Sequence, residues 1–177
     1  MKRLLFCLLL LLVAEISFAQ YFELKPDGFM SKDQKDYVVV EVPGAKQKEL
    51  YTNVLNAINT LYTNPQNGLN VLDGESISLS ASKRRAFKAS AGIMNYDYDA
   101  DYTLSFLFKD GKIRVNSPNL QAGFRNYNGT WNEMNFSRVY FKNNGEVKSE
   151  KNYNQVNSFI NQLIKDILDK SGKVSNW

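Results

Sequence analysis

The chain contains no histidine and only one cysteine, Cys7, among its 177 residues. Without histidine, the Ser-His-Asp and Cys-His arrangements of nucleophilic enzymes lack their base. Zinc, haem and iron–sulfur sites lose their commonest nitrogen and sulfur ligands, and one cysteine cannot form an intramolecular disulfide. The sequence therefore excludes several large classes of enzyme and predicts no bound cofactor.

The first nineteen residues have the three parts of a cleavable secretory signal peptide. A basic pair follows the first methionine, residues 4–13 form an apolar run, and Ser17 and Ala19 place small side chains at the two cleavage positions. An apolar helix of this length is roughly 15 Å long, about half of a bilayer core, so it is too short to span a membrane. We expect cleavage between Ala19 and Gln20, which predicts an exported protein that is periplasmic or extracellular.

Cys7 does not fit the pattern of a lipid-anchored exported protein. A lipidated cysteine follows the apolar run and a small residue, whereas Cys7 lies near the start of the run and follows Phe6. We interpret it as one more apolar residue of the signal.

Removal of residues 1–19 leaves 158 residues, a size typical of one domain with a single core. The signal carries two cations and one carboxylate, so the formal charge falls from +4 to +3. Such a mild charge does not require an anionic partner. We predict no nucleic-acid partner and no transmembrane span.

The chain after the signal divides into a leader and one domain. Residues 20–36 are polar and predict a partly loose leader, and residues 37–177 predict a single α+β domain. The domain begins with a β-branched strand at residues 37–42. Residues 45–62 then predict a helix, because apolar side chains recur at the spacing of one helical face.

Apolar and polar residues alternate along residues 76–82, 87–93 and 102–108, which predicts three strands with one buried face each. Asp110-Gly111 predicts a tight hairpin into a further strand at residues 113–115. The sequence thus predicts an antiparallel sheet of about five or more strands.

Residues 117–135 are rich in asparagine and glycine and show no clear period. A structureless loop of this length is uncommon in a compact domain, so the segment contains either a long loop or a strand that the pattern does not reveal. Residues 136–142 are expected to pair with residues 146–148 through a turn at Asn144-Gly145.

Residues 152–170 give the clearest helical pattern, and Gly172 is expected just past its end as a C′ glycine. This helix and the one at residues 45–62 can cover one face of the sheet. The predicted fold class is therefore α+β, a curved antiparallel sheet with two helices packed on one face and the other face open.

Asp97, Asp99 and Asp101 alternate in a way that can gather oxygen ligands for calcium. A calcium loop counted from Asp97 needs glycine at its sixth position and glutamate at its twelfth, where this sequence has Tyr102 and Phe108. We therefore predict a solvated loop between strands and no metal site.

Lys83, Arg84 and Arg85 form a basic cluster that is a candidate anion patch for phosphate, a polyanion or an acidic lipid headgroup. No glycine-rich phosphate loop accompanies it. The alternative is a solvated turn between strands.

The open face of the sheet is the main candidate binding surface. It is expected to carry small hydroxyls beside a few cations, among them Ser78, Ser80, Lys88, Ser105 and Arg114. Such a polar surface suits a protein, a peptide or a glycan chain, and the alternative is an ordinary solvated sheet face.

Two further features bear on glycans. Tyr127 and Trp131 lie among asparagines, which is typical either of sugar contacts or of a small cluster under a long loop. A glycosidase needs only a pair of carboxylates. The sequence supplies several and does not indicate which of them share a cleft: Glu41, Asp73, Glu75 and Asp101.

Three segments together resemble one known family: Lys48-Glu49-Leu50-Tyr51, Tyr102-Thr103-Leu104-Ser105-Phe106 and Lys109-Asp110-Gly111-Lys112-Ile113-Arg114. Over roughly residues 36–126 the chain is similar to domain-of-unknown-function family 4468, found in exported bacterial proteins. The resemblance implies a TBP-like fold, a curved antiparallel sheet with helices on one side. It implies no activity and no catalytic residues, and the fold name does not imply DNA binding.

These features predict a non-catalytic interaction or binding module of the cell envelope, with a protein or a glycan as its partner. The alternative is a carboxylate-dependent hydrolase that acts on envelope glycans.

Overall fold

The computed structural model describes residues 20–91 and 94–174. The described strands, in chain order, are β1 (Glu23–Lys25), β2 (Gly28–Met30), β3 (Tyr37–Glu41), β4 (Leu69–Leu72), β5 (Ser76–Ala91), β6 (Met94–Lys109), β7 (Lys112–Asn116), β8 (Asn119–Arg125) and β9 (Trp131–Glu133). The described helices are α1 (Gln47–Leu61), a 3-10 turn (Pro65–Asn67), α2 (Phe136–Tyr140) and α3 (Glu150–Val174). The predicted signal peptide with Ala19 lies outside the described residues, as do Gly92 and Ile93.

Strands β3 to β9 form one antiparallel sheet. The strand order is β3-β7-β6-β5-β4, with β8 paired to the middle of β6 at residues 99–103 and β9 paired to β8. Helices α1 and α3 contribute their apolar sides to the same core as the buried face of the sheet. The predicted α+β class, with an antiparallel sheet of five or more strands and two covering helices, is confirmed. No helix within the described ranges is long and apolar enough to cross a bilayer.

Strands β5 and β6 are each 16 residues long and pair along their length. The predicted strand at residues 76–82 and the described part of the one at residues 87–93, residues 87–91, therefore belong to one strand, and β6 extends well before the predicted start at residue 102. The prediction of a solvated loop at Asp97, Asp99 and Asp101 is wrong, because these residues pair with β5 and β8 inside β6.

The basic cluster lies in a β-bulge rather than in the predicted turn. Between the pairs Lys83–Ala100 and Phe87–Tyr98, three residues of β5 oppose Asp99 alone. Arg85 has a positive φ of 50° and donates its backbone N–H to Asp99 Oδ1 at 2.9 Å. The bulge interrupts the alternation of apolar and polar residues, but β5 continues through it. The sequence pattern alone therefore suggests two strands where the structure has one.

The segment after β7 departs further from the sequence prediction. Residues 117–135 contain β8 and β9. The segment therefore holds strands that the sequence pattern did not reveal, rather than one long loop. Residues 136–140 are helical rather than extended, and the Asn135 side chain caps them by accepting the Arg138 N–H at 2.9 Å. Within the described chain, the predicted pairing with residues 146–148 is present only next to the turn, where Phe141 bridges Val147. Gly172 lies inside α3, so the prediction that it ends the helix is wrong.

The predicted leader packs in the same core as the rest of the described chain. Phe22 and Leu24 are buried beside α3, and Phe29 of β2 is buried as well. The apolar residues in this segment are few, but each side chain is large and finds a place against the helix. Burial of three such side chains contributes several kcal/mol at about 1.5–3 kcal/mol each.

Candidate binding surface

A line of paired hydroxyls runs along the open face of the β5–β6 hairpin. Ser78 Oγ lies 3.1 Å from Ser105 Oγ, and Ser80 Oγ lies 3.0 Å from Thr103 Oγ1. Ser82 Oγ donates to Asp101 Oδ1 at 2.5 Å. We call these six residues the hydroxyl ladder. It exists because the strand register places each pair directly opposite one another, with side chains on the face away from the helices.

The helix-facing side of the same strands is apolar and closed. Ile77 and Leu79 of β5 are buried opposite Phe106 and Leu104 of β6. Alternation along both strands therefore separates an apolar core face from a polar face, whose hydroxyls are half-buried or exposed.

The five residues predicted for the binding face are spread over the length of the sheet. Ser78, Ser80 and Ser105 lie together in the hydroxyl ladder. Arg114 lies at one end, with its guanidinium 4.0 Å from the centre of the Tyr37 ring and its Nε 2.8 Å from Asn116 Oδ1.

Lys88 lies at the opposite end of the hairpin, beyond the bulge. Its Nζ is 3.7 Å from Asp97 Oδ1, its cross-strand partner. The structure therefore brings together the three serines and places the two cations at the two ends of the face.

Two of the three residues of the predicted anion patch, Lys83 and Arg84, line one cleft, and Lys83 also reaches the helix side of the sheet. Lys83 lines a shallow groove with Gln155 and Phe159 of α3, on the helix side of the sheet. Arg84 lines a cleft on the open face with Asp101. A strand places successive side chains on opposite faces, so two neighbouring cations point to opposite sides.

The cleft beside Arg84 has a volume of about 460 Å³. Two carboxylates, three cations, a hydroxyl and an aromatic ring line it, together with Ala100: Asp99, Asp101, Lys83, Arg84, Arg125, Ser82 and Trp131. The cleft is formed where β9 carries Trp131 back over β8, so its members are distant in the sequence.

Trp131 packs on its own neighbours. A Cβ added to Gly123 would lie 2.5 Å from the Trp131 ring, and the Arg125 guanidinium lies 5.5 Å from the ring centre. Tyr127 is fully exposed at the tip of the β8–β9 turn. The two aromatic residues that the sequence suggested as a pair are therefore separate, and only Trp131 belongs to the cleft.

A larger groove of about 890 Å³ lies at the outer edge of β5. The turn after α1 forms one wall, and residues of β5 and β6 form the other. Inside it, the hydroxyls of Tyr62 and Tyr102 lie 3.4 Å apart. Burial raises the pKa of both phenols, so they remain neutral donors and acceptors at physiological pH.

The chemistry of these surfaces is hydrogen bonding and charge pairing. Within residues 20–91 and 94–174, no three acidic, histidine or cysteine side chains are close enough to hold a metal ion. Hydroxyls that donate and accept, with cations at the margins, can bind a polar ligand without transforming it. The sequence contained the alternating serines, but the pairing that forms the ladder depends on the register.

An antiparallel sheet with helices on one face and an open polar face defines the class of protein: an α+β domain of TBP-like architecture. Residues 37–122 match a family model described as "Domain of unknown function (DUF4468) with TBP-like fold". Over residues 37–122 the chain is therefore similar to the DUF4468 family, the family that its short motifs resemble.

Two solved structures share this fold. One is a TBP-like protein from Parabacteroides distasonis, 15% identical, with a TM-score of 0.57 over 77% of this chain and 90% of that one. The other is a DUF4468 family protein from Bacteroides ovatus, 10% identical, with a TM-score of 0.55 over 77% of this chain and 84% of that one. No curated protein shows significant sequence similarity to the chain.

Proposed function

We propose that this domain is a non-catalytic binding module of the cell envelope and that its open sheet face receives the partner. The hydroxyl ladder is the observation that supports the proposal. It presents three side-chain pairs in a row on a face that is half-buried or exposed. The envelope location rests on the signal peptide predicted for residues 1–19.

The ladder suits a polar, extended partner such as a protein segment or a glycan chain. Each paired hydroxyl uses one donor or acceptor in its own pair and retains further capacity for a ligand. Adjacent pairs on one face of a strand repeat about every 7 Å. A ligand with regularly spaced polar groups can therefore bond to successive pairs.

Substitution of the ladder tests the proposal. We expect Ser80→Arg with Ser105→Arg to abolish partner binding, since two long side chains would cover the face while the helix-facing core stays unchanged. Thr52→Arg with Thr60→Arg is the matched control, because both threonines lie exposed on α1. Crosslinking in the native envelope, followed by mass spectrometry, identifies which partner each variant still binds. Equal recovery of the same partner by both variants would refute a role for the ladder.

A carboxylate-dependent glycan hydrolase is the second candidate, because Asp99 and Asp101 line one cleft. Residues two apart on one strand face are separated by about 7 Å, which is within the range for an inverting pair. Each carboxylate already accepts a hydrogen bond, Asp99 from the Arg85 N–H and Asp101 from Ser82. These bonds favour a structural role for both.

Measurement of reducing-end release from purified peptidoglycan decides between the two candidates. Activity that Asp99→Asn and Asp101→Asn each abolish would establish the hydrolase. We expect the wild-type protein to release no more reducing ends than the Asp99→Asn and Asp101→Asn variants do.

A further inference from the structure

The outer edge of β5 is hydrogen-bonded near both ends and open between them. β4 pairs with residues 76–79, and the Ser80 N–H donates to the Gly68 carbonyl at 2.8 Å. The chain then turns away into the 3-10 turn at Pro65–Asn67. Beyond Ser80, no strand covers this edge in the part of the chain that the structure describes.

Side chains of α3 cap the far end of the same edge. The Lys88 N–H donates to Gln155 Oε1 at 3.0 Å, and the Ser90 N–H donates to Asn152 Oδ1 at 3.1 Å. Asn152 Nδ2 in turn donates to the Ser90 carbonyl at 3.0 Å. The helix therefore satisfies the groups that a neighbouring strand would otherwise bind.

Between these two protected ends, the backbone of Ser82 faces outward. In an antiparallel strand, alternate residues direct their N–H and C=O groups to the same side. Ser80 bonds outward to Gly68, so Ser82 directs its backbone groups outward too. Among the described residues, none provides a hydrogen-bond partner for the Ser82 N–H.

A groove and unpaired positive charge accompany this open stretch. The groove of about 890 Å³ runs along Ser80, Ser82 and Lys83, and Asp101 and Asp166 line it as well. Alternation along β5 directs Lys83 toward α3 and Arg84 toward the open face, so one cation lies on each side of the edge. Lys83 also lines the open-face cleft. Neither cation takes part in any ion pair within the described ranges.

We infer that the open edge of β5 at residues 82–84 binds an extended acidic peptide segment as an added strand. The Ser82 backbone groups would bond to the peptide backbone. Successive side chains of an extended peptide point to opposite faces, so two adjacent acidic side chains would meet Lys83 on one side and Arg84 on the other. A second copy of this chain fits poorly, because pairing of two β5 edges would bring these cations together. The site adjoins the hydroxyl ladder and shares Ser82 with it: the peptide would bond to the Ser82 backbone, whereas the ladder uses the Ser82 hydroxyl.

The test uses the purified protein and fluorescent hexapeptides with blocked ends. One peptide has two adjacent glutamates between pairs of valines, a second has two adjacent lysines in place of the glutamates, and a third is the glutamate peptide with N-methylated backbone amides. We expect fluorescence anisotropy to detect binding of the first peptide alone. The N-methylated peptide keeps every charge but lacks the backbone donors of an added strand.

Two variants of one residue separate backbone pairing from side-chain effects. Ser82→Ala removes the hydroxyl and keeps the N–H, so it should bind the glutamate peptide more tightly than a variant that lacks this N–H. Ser82→Pro removes the N–H at an edge position where proline is tolerated. It should weaken binding on the order of tenfold. Lys83→Glu with Arg84→Glu should reverse the preference toward the lysine peptide.

Each comparison has a result that would overturn strand addition at Ser82. Equal binding by Ser82→Pro and Ser82→Ala, with both folded by circular dichroism, would overturn strand addition. Equal binding of the methylated and unmethylated peptides would show charge attraction alone and would overturn it as well. If Ser82→Pro does not fold, the comparison of the methylated and unmethylated peptides on the wild-type protein still tests strand addition. Absence of binding by the glutamate peptide would refute the site.

Discussion

The carboxamide of Asn161 binds the backbone of Phe22 on both sides. Its Oδ1 accepts the Phe22 N–H at 2.9 Å and its Nδ2 donates to the Phe22 carbonyl at 2.7 Å. The Tyr21 N–H donates to the same oxygen at 2.6 Å. A helix side chain thereby supplies the bonds that a neighbouring strand would supply.

The same arrangement continues along α3 at intervals of one turn. Asn157 Oδ1 accepts the Leu24 N–H at 2.7 Å, and the Tyr153 hydroxyl donates to the Leu24 carbonyl at 2.9 Å. Residues four apart on a helix lie on one face. Tyr153, Asn157 and Asn161 therefore form one row that fixes the leader in an extended conformation.

Asn161→Ala should lower the free energy of unfolding by about 2–4 kcal/mol, because it leaves the Tyr21 and Phe22 N–H groups without their acceptor. Asn154→Ala, on an exposed part of the same helix, should change it by less than about 0.5 kcal/mol. Urea denaturation measures both values. If the Phe22 amide exchanged its hydrogen as slowly in Asn161→Ala as in the wild type, Asn161 would not be the acceptor that protects it.

Gly68→Ala should destabilise the domain by about 1–3 kcal/mol, as overpacking does in a closely packed site. A Cβ at position 68 would lie 1.9 Å from the Ser80 carbonyl oxygen, and neither backbone can move without breaking the end of the β4–β5 pair. Gly172→Ala is the control, since its Cβ would meet no atom within 4 Å and alanine favours a helix. Thermal unfolding should show Tm values shifted in opposite directions.

Tyr140→Phe should leave stability unchanged or raise it by about 1 kcal/mol. The Tyr140 hydroxyl is buried without a hydrogen-bond partner among the described residues, and burial raises the pKa of this phenol. Removing an unsatisfied buried donor relieves its desolvation cost. Tyr153→Phe should instead lose about 1 kcal/mol with its bond to Leu24. Equal losses in the two variants, measured by urea denaturation, would mean that the Tyr140 hydroxyl is satisfied in the folded protein.

Asp110 links the β6–β7 turn to the start of α1 and should make stability depend on pH in acid. The Gln47 N–H, donating at 2.8 Å, and then the Lys46 ammonium lower the pKa of this carboxyl below its ordinary 3.8. Because the folded-state pKa is the lower one, the stabilisation is complete above pH 3.8. It is lost as the pH falls through the folded-state value.

The matched variant is Asp110→Asn, which keeps an acceptor for the Gln47 N–H but does not titrate. We expect the wild type to lose stability relative to Asp110→Asn between about pH 4 and pH 2. Parallel stability curves for the two proteins over that range would rule out this role for Asp110.

Local patterns in the sequence were sufficient for α1 and for most of α3. The apolar residues Leu50, Val54 and Ile58 recur at helical spacing and are buried. The hairpin at Asp110-Gly111 also follows from its residues, because Gly111 takes the positive φ of 76° that such a turn requires. Alternation also separated the polar face from the core, so Ser78, Ser80 and Ser105 could be placed on one face before their partners were known.

Only the tertiary structure decided which segments meet. The β-bulge at Arg85 depends on the Asp99 carboxylate from the opposite strand, and the leader is ordered by Asn161, which lies 139 residues beyond Phe22. Likewise, the cleft at Trp131 and the open edge at Ser82 depend on where neighbouring strands end. Period and propensity are properties of neighbouring residues, so they determined the elements and their buried faces. Hydrogen bonds between distant segments form only in the packed chain. These bonds determined where the candidate binding surfaces lie.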